Sequence, residues 1–383
     1  MALKEQIVEQ IKKPVALVHC KSYEPAIVRS ALCAALDLLE PMSHFVKRGD
    51  RVLLKPNMLS AKEPSKAVTT HPEILVAVGE LVLDCGGAII IGDSPAGQPK
   101  DLEKYWDKTG FALAAKRLGV ELLSFEEYGV RSFTAPEGHV SISEVALDAD
   151  VIINLPKLKT HLLTRTTGAV KNMFGVVPGY RKSYMHSLAP DPLPFSRYVV
   201  AVYSQVIPTL NIMDAVVGME GNGPSSGQPR EIGALLVSED AFEIDRIAAQ
   251  IMGENIASLP VFQAAVEAGC WNWDENTSKI LGNSLEEFIL PDFEPPEVSK
   301  IERIPPILKR NLKRLIWIRP RSNPKLCTAC ELCIDNCPES CMTLIKDVPE
   351  IDYKKCIKCG CCDEICPENA IYQEMSLMAK LLA

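Results

Sequence analysis

The sequence contains neither a secretory signal nor an apolar run long enough to cross a membrane. Its polar start, MALKEQIVEQIKKP, lacks the apolar centre and the cleavage site of a signal peptide. Its longest apolar runs, such as VALDADVIINLP, stop well short of the roughly 20 residues that a membrane helix needs. We therefore expect a soluble, cytoplasmic protein that does not use a membrane.

An excess of basic charge and the usual nucleotide fingerprints are also missing. The chain has 41 lysines and arginines against 49 aspartates and glutamates, which gives a net charge of -8. Neither G-x-x-x-x-G-K-[ST] nor G-x-G-x-x-G stands between a predicted strand and a predicted helix. These absences argue against a general nucleic-acid binder, which needs a basic field, and against an ordinary nucleotide site.

What the sequence does contain is an alternation of short β-branched runs with helical patterns. Two predicted strands, RVLLKPN (51–57) and AIIIGDSP (88–95), flank a predicted helix at 70–87, which Thr70 is expected to cap. Continuous apolar strands separated by helices are typical of a parallel sheet covered on both faces. We predict an α/β fold with a mainly parallel sheet and flanking helices, plus a small C-terminal domain.

The composition changes twice near the C-terminal end, which divides the 383 residues into three parts. Residues 1–291 form the predicted α/β domain. Residues 292–321 form a proline-rich linker and a short basic helix (307–318), expected to pack beside the acidic segment that follows. A membrane-surface or partner-docking role is the alternative for this helix. Residues 322–383 form the unit that we call the cysteine module.

Ten of the 14 cysteines lie in the cysteine module, in two copies of C-x2-C-x2-C-x3-C-P that are 29 residues apart. Such clustering in a chain without a secretory signal favours metal over disulfides. Three thiolates at three-residue steps can curl around one iron–sulfur cubane, whereas zinc sites usually separate their cysteine pairs by a longer loop, so zinc is the weaker alternative. Of the surplus cysteines, we expect Cys341 to be a small packed residue, and Cys361 lies between ligands.

The duplicated motif resembles that of bacterial two-cluster ferredoxins over residues 324–372. In that family the fourth cysteine of each run ligates the other cluster. The resemblance implies a small α+β domain with two [4Fe–4S] clusters. It assigns one cluster to Cys327, Cys330, Cys333 and Cys366, and the other to Cys356, Cys359, Cys362 and Cys337. A cluster held by four cysteines has no open iron, so the implied role is one-electron transfer.

A candidate anion site follows the predicted strand that ends at residue 156. The segments NLPKLKTH and TRTTGAVKNMFG would bring cations, hydroxyls and a helix start to the carboxyl edge of the sheet, where open α/β sheets bind ligands. The alternative is a solvated loop with scattered lysines. The candidate residues are Lys157, Lys159, His161, Lys171 and Asn172.

Polar residues follow other predicted strands as well. Carboxylates at Asp93, Asp214 and Glu220 would hold a divalent cation if they met at one edge, although such residues after strands are also ordinary turn formers. Further polar residues at strand ends are Lys55, Asn57, Ser94 and Asn222. The histidines that we consider as acid–base groups or ligands are His71, His161 and His186.

Four stretches of the larger domain resemble the family catalogued as domain of unknown function 362. They are VLLKPN, GDSP, NLPKLKTHLLTRTTGAVKNMFG and DAVVGMEGNGP, and the resemblance covers roughly residues 15–290. Members of this family are often fused to ferredoxin modules. The resemblance implies an iron–sulfur protein and assigns no activity to the larger domain.

Three functions are compatible with the sequence. In the first, the clusters pass electrons to or from an unidentified redox partner. In the second, the chain is a reductase that uses the electrons on a small anionic substrate near the candidate anion site. In the third, the clusters are structural or sensing, and the α/β domain is a binding module. The sequence assigns no catalytic residue, so it leaves open whether the chain is an enzyme.

Overall fold

The computed structural model describes residues 12–97, 100–135, 137–273, 278–297 and 315–382. Its strands are β1 Val15–His19, β2 Arg51–Pro56, β3 Ala88–Asp93, β4 Leu122–Ser124, β5 Val130–Ala135, β6 Gly138–Ser143, β7 Val151–Leu155, β8 Lys157–His161, β9 Arg165–Thr166, β10 Leu210–Glu220, β11 Gln228–Ser238, β12 Ile280–Gly282, β13 Ile318–Ser322, β14 Met342–Ile345, β15 Val348–Ile351 and β16 Ile371–Met375. Its helices are α1 Pro25–Leu38, α2 Met42–Phe45, α3 Pro72–Asp84, α4 Leu102–Thr109, α5 Phe111–Leu118, α6 Glu144–Leu147, α7 Gly168–Asn172, α8 Arg181–Leu188, α9 Pro192–Gln205, α10 Ala241–Ile251, α11 Pro260–Ala268, α12 Leu332–Asp335, α13 Cys361–Ile365 and α14 Leu377–Leu382.

The larger domain is built on one mixed sheet, to which the described residues contribute ten strands. The main path runs β12-β1-β11-β10-β7-β2-β3-β4, with β8 beside β10 and β9 beside β8. The β4-β3-β2-β7-β10 stretch is parallel throughout, whereas β11 pairs antiparallel with both β10 and β1. The predicted α/β fold with a mainly parallel sheet is confirmed, and the antiparallel β10–β11 pair adds to it.

Both faces of the sheet are buried, as the continuous apolar strands indicated. Along β1, Val15 and Leu17 belong to one hydrophobic core, and Ala16 and Val18 belong to the other. Because successive side chains of a strand point to opposite faces, each strand contributes side chains to both cores. Helices α1, α3 and α5 cover one face, and helices α9, α10 and α11 cover the other.

One local prediction about the larger domain is wrong. Helix α3 begins at Pro72 and is capped by His71, whose Nδ1 accepts from the backbone N–H of Glu73. The hydroxyl of Thr70 instead donates to the carbonyl of Leu155. Residues 157–161, for which a solvated loop was the alternative interpretation, form a second strand, β8.

The cysteine module contains the antiparallel pair β14–β15, and its strand β16 pairs antiparallel with β13, most of which precedes the predicted module boundary at residue 322. Its sequence duplication extends to the backbone. Left-handed residues recur 29 residues apart, and the three pairs are Ala329 with Lys358, Glu331 with Gly360, and Ser340 with Asn369. Because non-glycine residues rarely adopt a positive φ, this repetition indicates that both copies form the same loop.

The basic helix predicted over 307–318 lies outside the described residues up to residue 314. Within the described part, residues 315–317 are non-helical and Ile318 starts strand β13. No helix in the described ranges is both long and apolar enough to span a bilayer.

Candidate functional site

The carboxyl ends of β2, β3 and β7 meet at one edge of the sheet, as the parallel register requires. Leu54 of β2 lies opposite Ile91 of β3 and Ile153 of β7. The residues that follow the strands therefore share one edge, the usual ligand site of an open α/β sheet.

A chain of buried amides organises this edge. The side-chain amide of Asn57 donates to Asn172 Oδ1 at 2.8 Å, and that of Asn172 donates to Asn154 Oδ1 at 2.8 Å. The amine of Lys159 donates to Asn57 Oδ1 at 2.8 Å and to the carbonyl of Val68 at 2.6 Å. Each amide in this chain is held by a hydrogen bond to the next one, and the last belongs to strand β7. The chain therefore fixes the position of the Lys159 amine relative to the sheet.

Helix α7 is held in place by a carboxylate beneath its first turn. Asp245 accepts hydrogen bonds from the backbone N–H groups of Ala169 and Val170. Burial raises the pKa of Asp245 to about 7, against the effect of these two donors. Gly168 has a φ of +68°, and a Cβ there would lie 2.5 Å from Asp245 Oδ2, so this turn requires glycine. The turn thereby fixes the start of the helix that carries Lys171.

Two further lysines flank the end of β3. Lys55 Nζ lies 2.8 Å from Asp93 Oδ1, and both side chains are buried. Lys182 of α8 donates to the carbonyl of Val177 at 2.8 Å and to the hydroxyl of Ser94. Burial lowers the pKa of Lys182 to about 8, an effect that the nearby carboxylates only partly offset.

Lys159, Lys171 and Lys182 are among the residues that line a small cavity of about 70 Å³, which we call the interdomain cavity. Its α/β wall comes from the ends of β2 and β3, from β8 and from helices α7 and α8. Its other wall belongs to the cysteine module. The polar and charged lining residues are Asn57, Asp93, Ser94, Lys159, Thr167, Lys171, Asn172, Lys182, Ser183, His186, Asn336, Cys361 and Glu364.

Several polar groups of this cavity lack a partner. The amine of Lys171 makes no hydrogen bond or ion pair with any described residue, and burial lowers its pKa. The hydroxyl of Thr167 and Nδ1 of His186 are buried and likewise unpartnered within the described chain. Burial lowers the pKa of His186 to about 3, so its ring is neutral. Since native proteins pair nearly all buried polar groups, the Thr167 hydroxyl and His186 Nδ1 point to a ligand, and the half-buried Lys171 lines the same cavity.

The cysteine module contributes a buried carboxylate to the cavity. Glu364 Oε1 lies 3.3 Å from Nε2 of His161, without the alignment of a hydrogen bond. Nδ1 of His161 accepts from the backbone N–H groups of Leu163 and Thr164, so the ring proton is on Nε2, facing Glu364. Burial holds the pKa of His161 well below its usual value. A neutral histidine thus links the two domains behind the cavity.

The predicted anion residues do not all lie together. Lys159, Lys171 and Asn172 line the interdomain cavity, and His161 lies behind its wall. Lys157 does not line it. Its amine lies 2.8 Å from Asp214 Oδ2 and 2.7 Å from the hydroxyl of Tyr23, in a separate buried network.

The carboxylates considered for a divalent cation are engaged elsewhere. Asp93 pairs with Lys55, Asp214 with Lys157, and Glu220 Oε1 lies 3.7 Å from an Arg230 nitrogen. Among the residues that the structure describes, no three His, Cys, Asp or Glu side chains are close enough to hold one metal ion. The third histidine, His71, caps α3 and stacks on Tyr23 with ring centroids 3.6 Å apart.

The cysteines of the module line two separate cavities. One is lined by Cys327, Cys330, Cys333 and Cys366. The other is lined by Cys337, Cys356, Cys359 and Cys362, together with the surplus Cys341 and Cys361. Each cavity thus contains one of the crossed sets that the ferredoxin resemblance implies. Four thiols that converge on one space are the donor set that an iron–sulfur cube requires.

Backbone N–H groups point at these sulfurs in both copies. The N–H of Cys341 donates to Cys337 Sγ at 3.5 Å, and the N–H of Ala370 donates to Cys366 Sγ at 3.2 Å. The N–H of Ala329 donates to Cys327 Sγ at 3.4 Å. Such donors stabilise thiolates and tune a bound cluster's potential, so the donor set and its surroundings fit the group.

Comparisons with known proteins agree with both resemblances. A family model described as domain of unknown function (DUF362) matches residues 52–250. Thylakoid-associated protein sll1697 of Synechocystis sp. is 37% identical over 259 residues, which cover 67% of this chain and 80% of that protein. The chain belongs to the DUF362 family. A second model, described as a 4Fe-4S binding domain, matches residues 349–372, the region of the second cysteine copy. The chain is therefore an iron–sulfur protein.

A solved structure, the lactate racemase apoprotein from Thermoanaerobacterium thermosaccharolyticum, aligns with a TM-score of 0.42 at 14% identity. The alignment covers 64% of this chain and 58% of that one, so the chain spans less than two thirds of the racemase.

The sequence analysis missed several residues of the interdomain cavity. It did not single out Lys182 or Ser183, which lie on a helix without a recognisable motif. It also assigned no role to Asn336 or Glu364, because nothing in the sequence shows that the module packs against the sheet edge.

Proposed function

We propose that this protein carries two [4Fe–4S] clusters and uses their electrons to reduce a small anion in the interdomain cavity. The observation that carries the proposal is the shared wall of that cavity. Cys361 and Glu364, from the segment with the ligands of one proposed cluster, lie close enough to Lys171 to influence the charge on its amine. A substrate held by the lysines would therefore lie beside an electron source.

The proposed ligands place two one-electron carriers in the module. A bound cluster of this kind supplies one-electron transfer, and two clusters match a two-electron reduction. Of the four module residues in the cavity wall, Asn336 and Cys361 directly precede Cys337 and Cys362, and Ile365 directly precedes Cys366. Cys337 and Cys362 belong to the set that includes Cys356 and Cys359. This set is the one proposed to deliver electrons to the anion.

The α/β domain supplies binding, orientation and a proton. Lys171 and the hydroxyl of Thr167 have no partners among the described residues and are free to bind an anion. Asn172 is held in orientation by Asn154 and Asn57. Lys182, whose pKa is lowered to about 8, can release a proton near neutral pH. The module covers the site and restricts water, which strengthens these interactions.

An oxygen-free preparation tests the proposal. We expect about eight irons and matching sulfide per chain, reducible by dithionite and visible by EPR. Titration with phosphate, acetate and succinate should shift the midpoint potential with at least one of these anions. Zinc without inorganic sulfide would remove the electron-transfer role. Clusters that cannot be reduced would indicate a structural role. Reducible clusters whose midpoint potential no anion shifts would indicate a simple electron carrier.

Anion affinity is expected to fall as the pH rises above about 8. Lys182 is charged below its pKa of about 8, and an anion in the cavity would favour that charged form. Affinity should therefore be nearly constant below pH 8 and weaken at higher pH. Dissociation constants measured by calorimetry between pH 6.5 and 9.5 check this. Lys182→Met should flatten the profile, and an equally steep decline in that variant would contradict the assignment.

We propose that the protein is in the cytoplasm. All fourteen cysteines are free in the structure, and thiols stay reduced in that compartment. The printed name of the Synechocystis relative associates that protein with thylakoids. Fractionation of cells into soluble and membrane extracts would decide between the two locations.

A further inference from the structure

A second cleft, where residues 367–369 of the module meet the α/β domain, is lined with lysines. It has a volume of about 420 Å³, and we call it the lysine groove. Its lining includes four lysines, from the segment after β2 and from helix α4, and two glutamates. The chain as a whole has a net charge of -8, so this surface departs from the rest of the molecule. The lysines are Lys62, Lys66, Lys104 and Lys108.

The four lysines differ in burial and in their partners. Lys62 is buried and joins the domains, donating to the carbonyl of Ser225 at 2.8 Å and to the side chain of Asn369. Lys108 lies 3.8 Å from Glu63. Lys66 and Lys104 are exposed and form no ion pair within the described ranges. These two are available to an external partner.

The lysine groove adjoins one of the two cysteine cavities. Pro367, Glu368 and Asn369, which line the groove, directly follow Cys366. Glu368 also lines the cavity of Cys366, where it is joined by Cys330, the exposed cysteine of the module. This cysteine set therefore lies near the surface at the groove. The other set lies toward the interdomain cavity, on the α/β side.

We propose that the lysine groove is the docking face for an acidic one-electron carrier protein that reduces the cluster at Cys327, Cys330, Cys333 and Cys366. The inference rests on the proposed function, because it needs that cluster. In each encounter the carrier loses one electron and the cluster gains it, and no bond or proton is exchanged. Electrons would enter at the groove and leave at the interdomain cavity.

The features of the groove favour a protein over a small anion. Its free lysines are on exposed helical segments, and no lining residue is a buried polar group left without a partner. A small anion needs converging buried donors, whereas an acidic protein is attracted by exposed charges spread over a face. The nearby exposed Cys330 would shorten the path for an electron from a docked carrier.

The test uses the iron-loaded full chain and an oxidised plant-type [2Fe–2S] ferredoxin, an acidic one-electron carrier. We expect calorimetry at low salt to show binding that weakens as salt is added. The double variant Lys66→Glu/Lys104→Glu should weaken it about tenfold, because two attractions become repulsions. The matched control is Lys21→Glu/Lys116→Glu, which reverses the charge of two exposed lysines outside the groove. This variant should bind the carrier as tightly as the original protein does.

Equal binding of the carrier by the groove variant and the original protein would overturn the docking proposal. If tripolyphosphate saturated the groove in that case, the groove would be a small-anion site. Dithionite reduction followed by EPR separates this failure from failure of the proposed function. Dithionite needs no docking face, so clusters that it reduces in the groove variant show that the module is intact.

Discussion

Removal of iron is expected to unfold the cysteine module and to leave the α/β domain folded. Among the residues that the structure describes, the hydrophobic core of the module has seven buried members, and three of them are cysteines: Cys333, Cys341, Met342, Ile365, Cys366, Ala370 and Ile371. Two of these cysteines are proposed ligands. Small domains of this kind usually owe their folded state to the metal that they bind, so the clusters are expected to act as the module's core.

Hydrogen exchange before and after treatment with an oxidant and a chelator measures this effect. Backbone amides of β14, β15 and β16 should lose nearly all of their protection, whereas those of β2, β7 and β10 should keep it. Chelator without oxidant is the control and should change neither set. Protection of the module that survives complete loss of iron and sulfide would show that its protein contacts are sufficient for folding.

The same treatment should weaken anion binding, because one wall of the interdomain cavity belongs to the module. Asn336, Cys361 and Glu364 would leave the cavity when the module unfolds. The remaining wall would then open to water, which weakens the attraction between the lysines and an anion.

The features that could be predicted from the sequence are those encoded over short distances. The cysteine spacing repeats in the sequence, and the structure repeats it as pairs of left-handed residues such as Ala329 and Lys358. The parallel sheet followed from apolar runs that alternate with helical patterns. Both depend on neighbouring residues, for which spacing is a direct guide.

The composition of the candidate site could be predicted only in part, because its walls come from distant segments. Lys182 reaches the cavity from helix α8, and Glu364 reaches it from the module. Their positions depend on how separate elements pack, which no local pattern records. The spacing of motifs therefore predicted the residues at the edge of the sheet. It did not predict that helix α8 and the cysteine module cover this edge.

Lys157 and Lys159 show a second limit. They are two residues apart and were assigned to one site, yet β8 pairs irregularly with β10. Lys157 lies opposite Asp214, whereas Lys159 lies opposite Met219. This shift gives the two lysines different partners, since one faces a carboxylate and the other an amide. A register irregularity of this kind cannot be read from a short motif.

Replacing Lys157 and Lys171 by methionine is expected to produce opposite defects. Lys157 Nζ lies 2.8 Å from Asp214 Oδ2, and both side chains are almost completely buried. Removing this amine leaves a buried carboxylate without its counter-charge, which should lower the free energy of unfolding by about 3 kcal/mol or more. Anion affinity should change little, because Lys157 does not line the interdomain cavity.

Lys171 presents the reverse case. Its amine has no partner among the described residues, and burial already disfavours its charge. Lys171→Met should therefore keep the free energy of unfolding within about 1 kcal/mol of the original value. It should weaken anion binding by about 10- to 100-fold, as expected when a charged hydrogen bond worth about 1.5–3 kcal/mol is lost.

Urea unfolding and anion titration of both variants complete the comparison, with each variant serving as the control for the other. The candidate site is misassigned if Lys157→Met loses anion affinity at unchanged stability. It is equally misassigned if Lys171→Met unfolds more easily and binds as before. The crossed pattern would instead separate a lysine that stabilises the fold from one that binds the anion, although the two stand in neighbouring motifs of one chain.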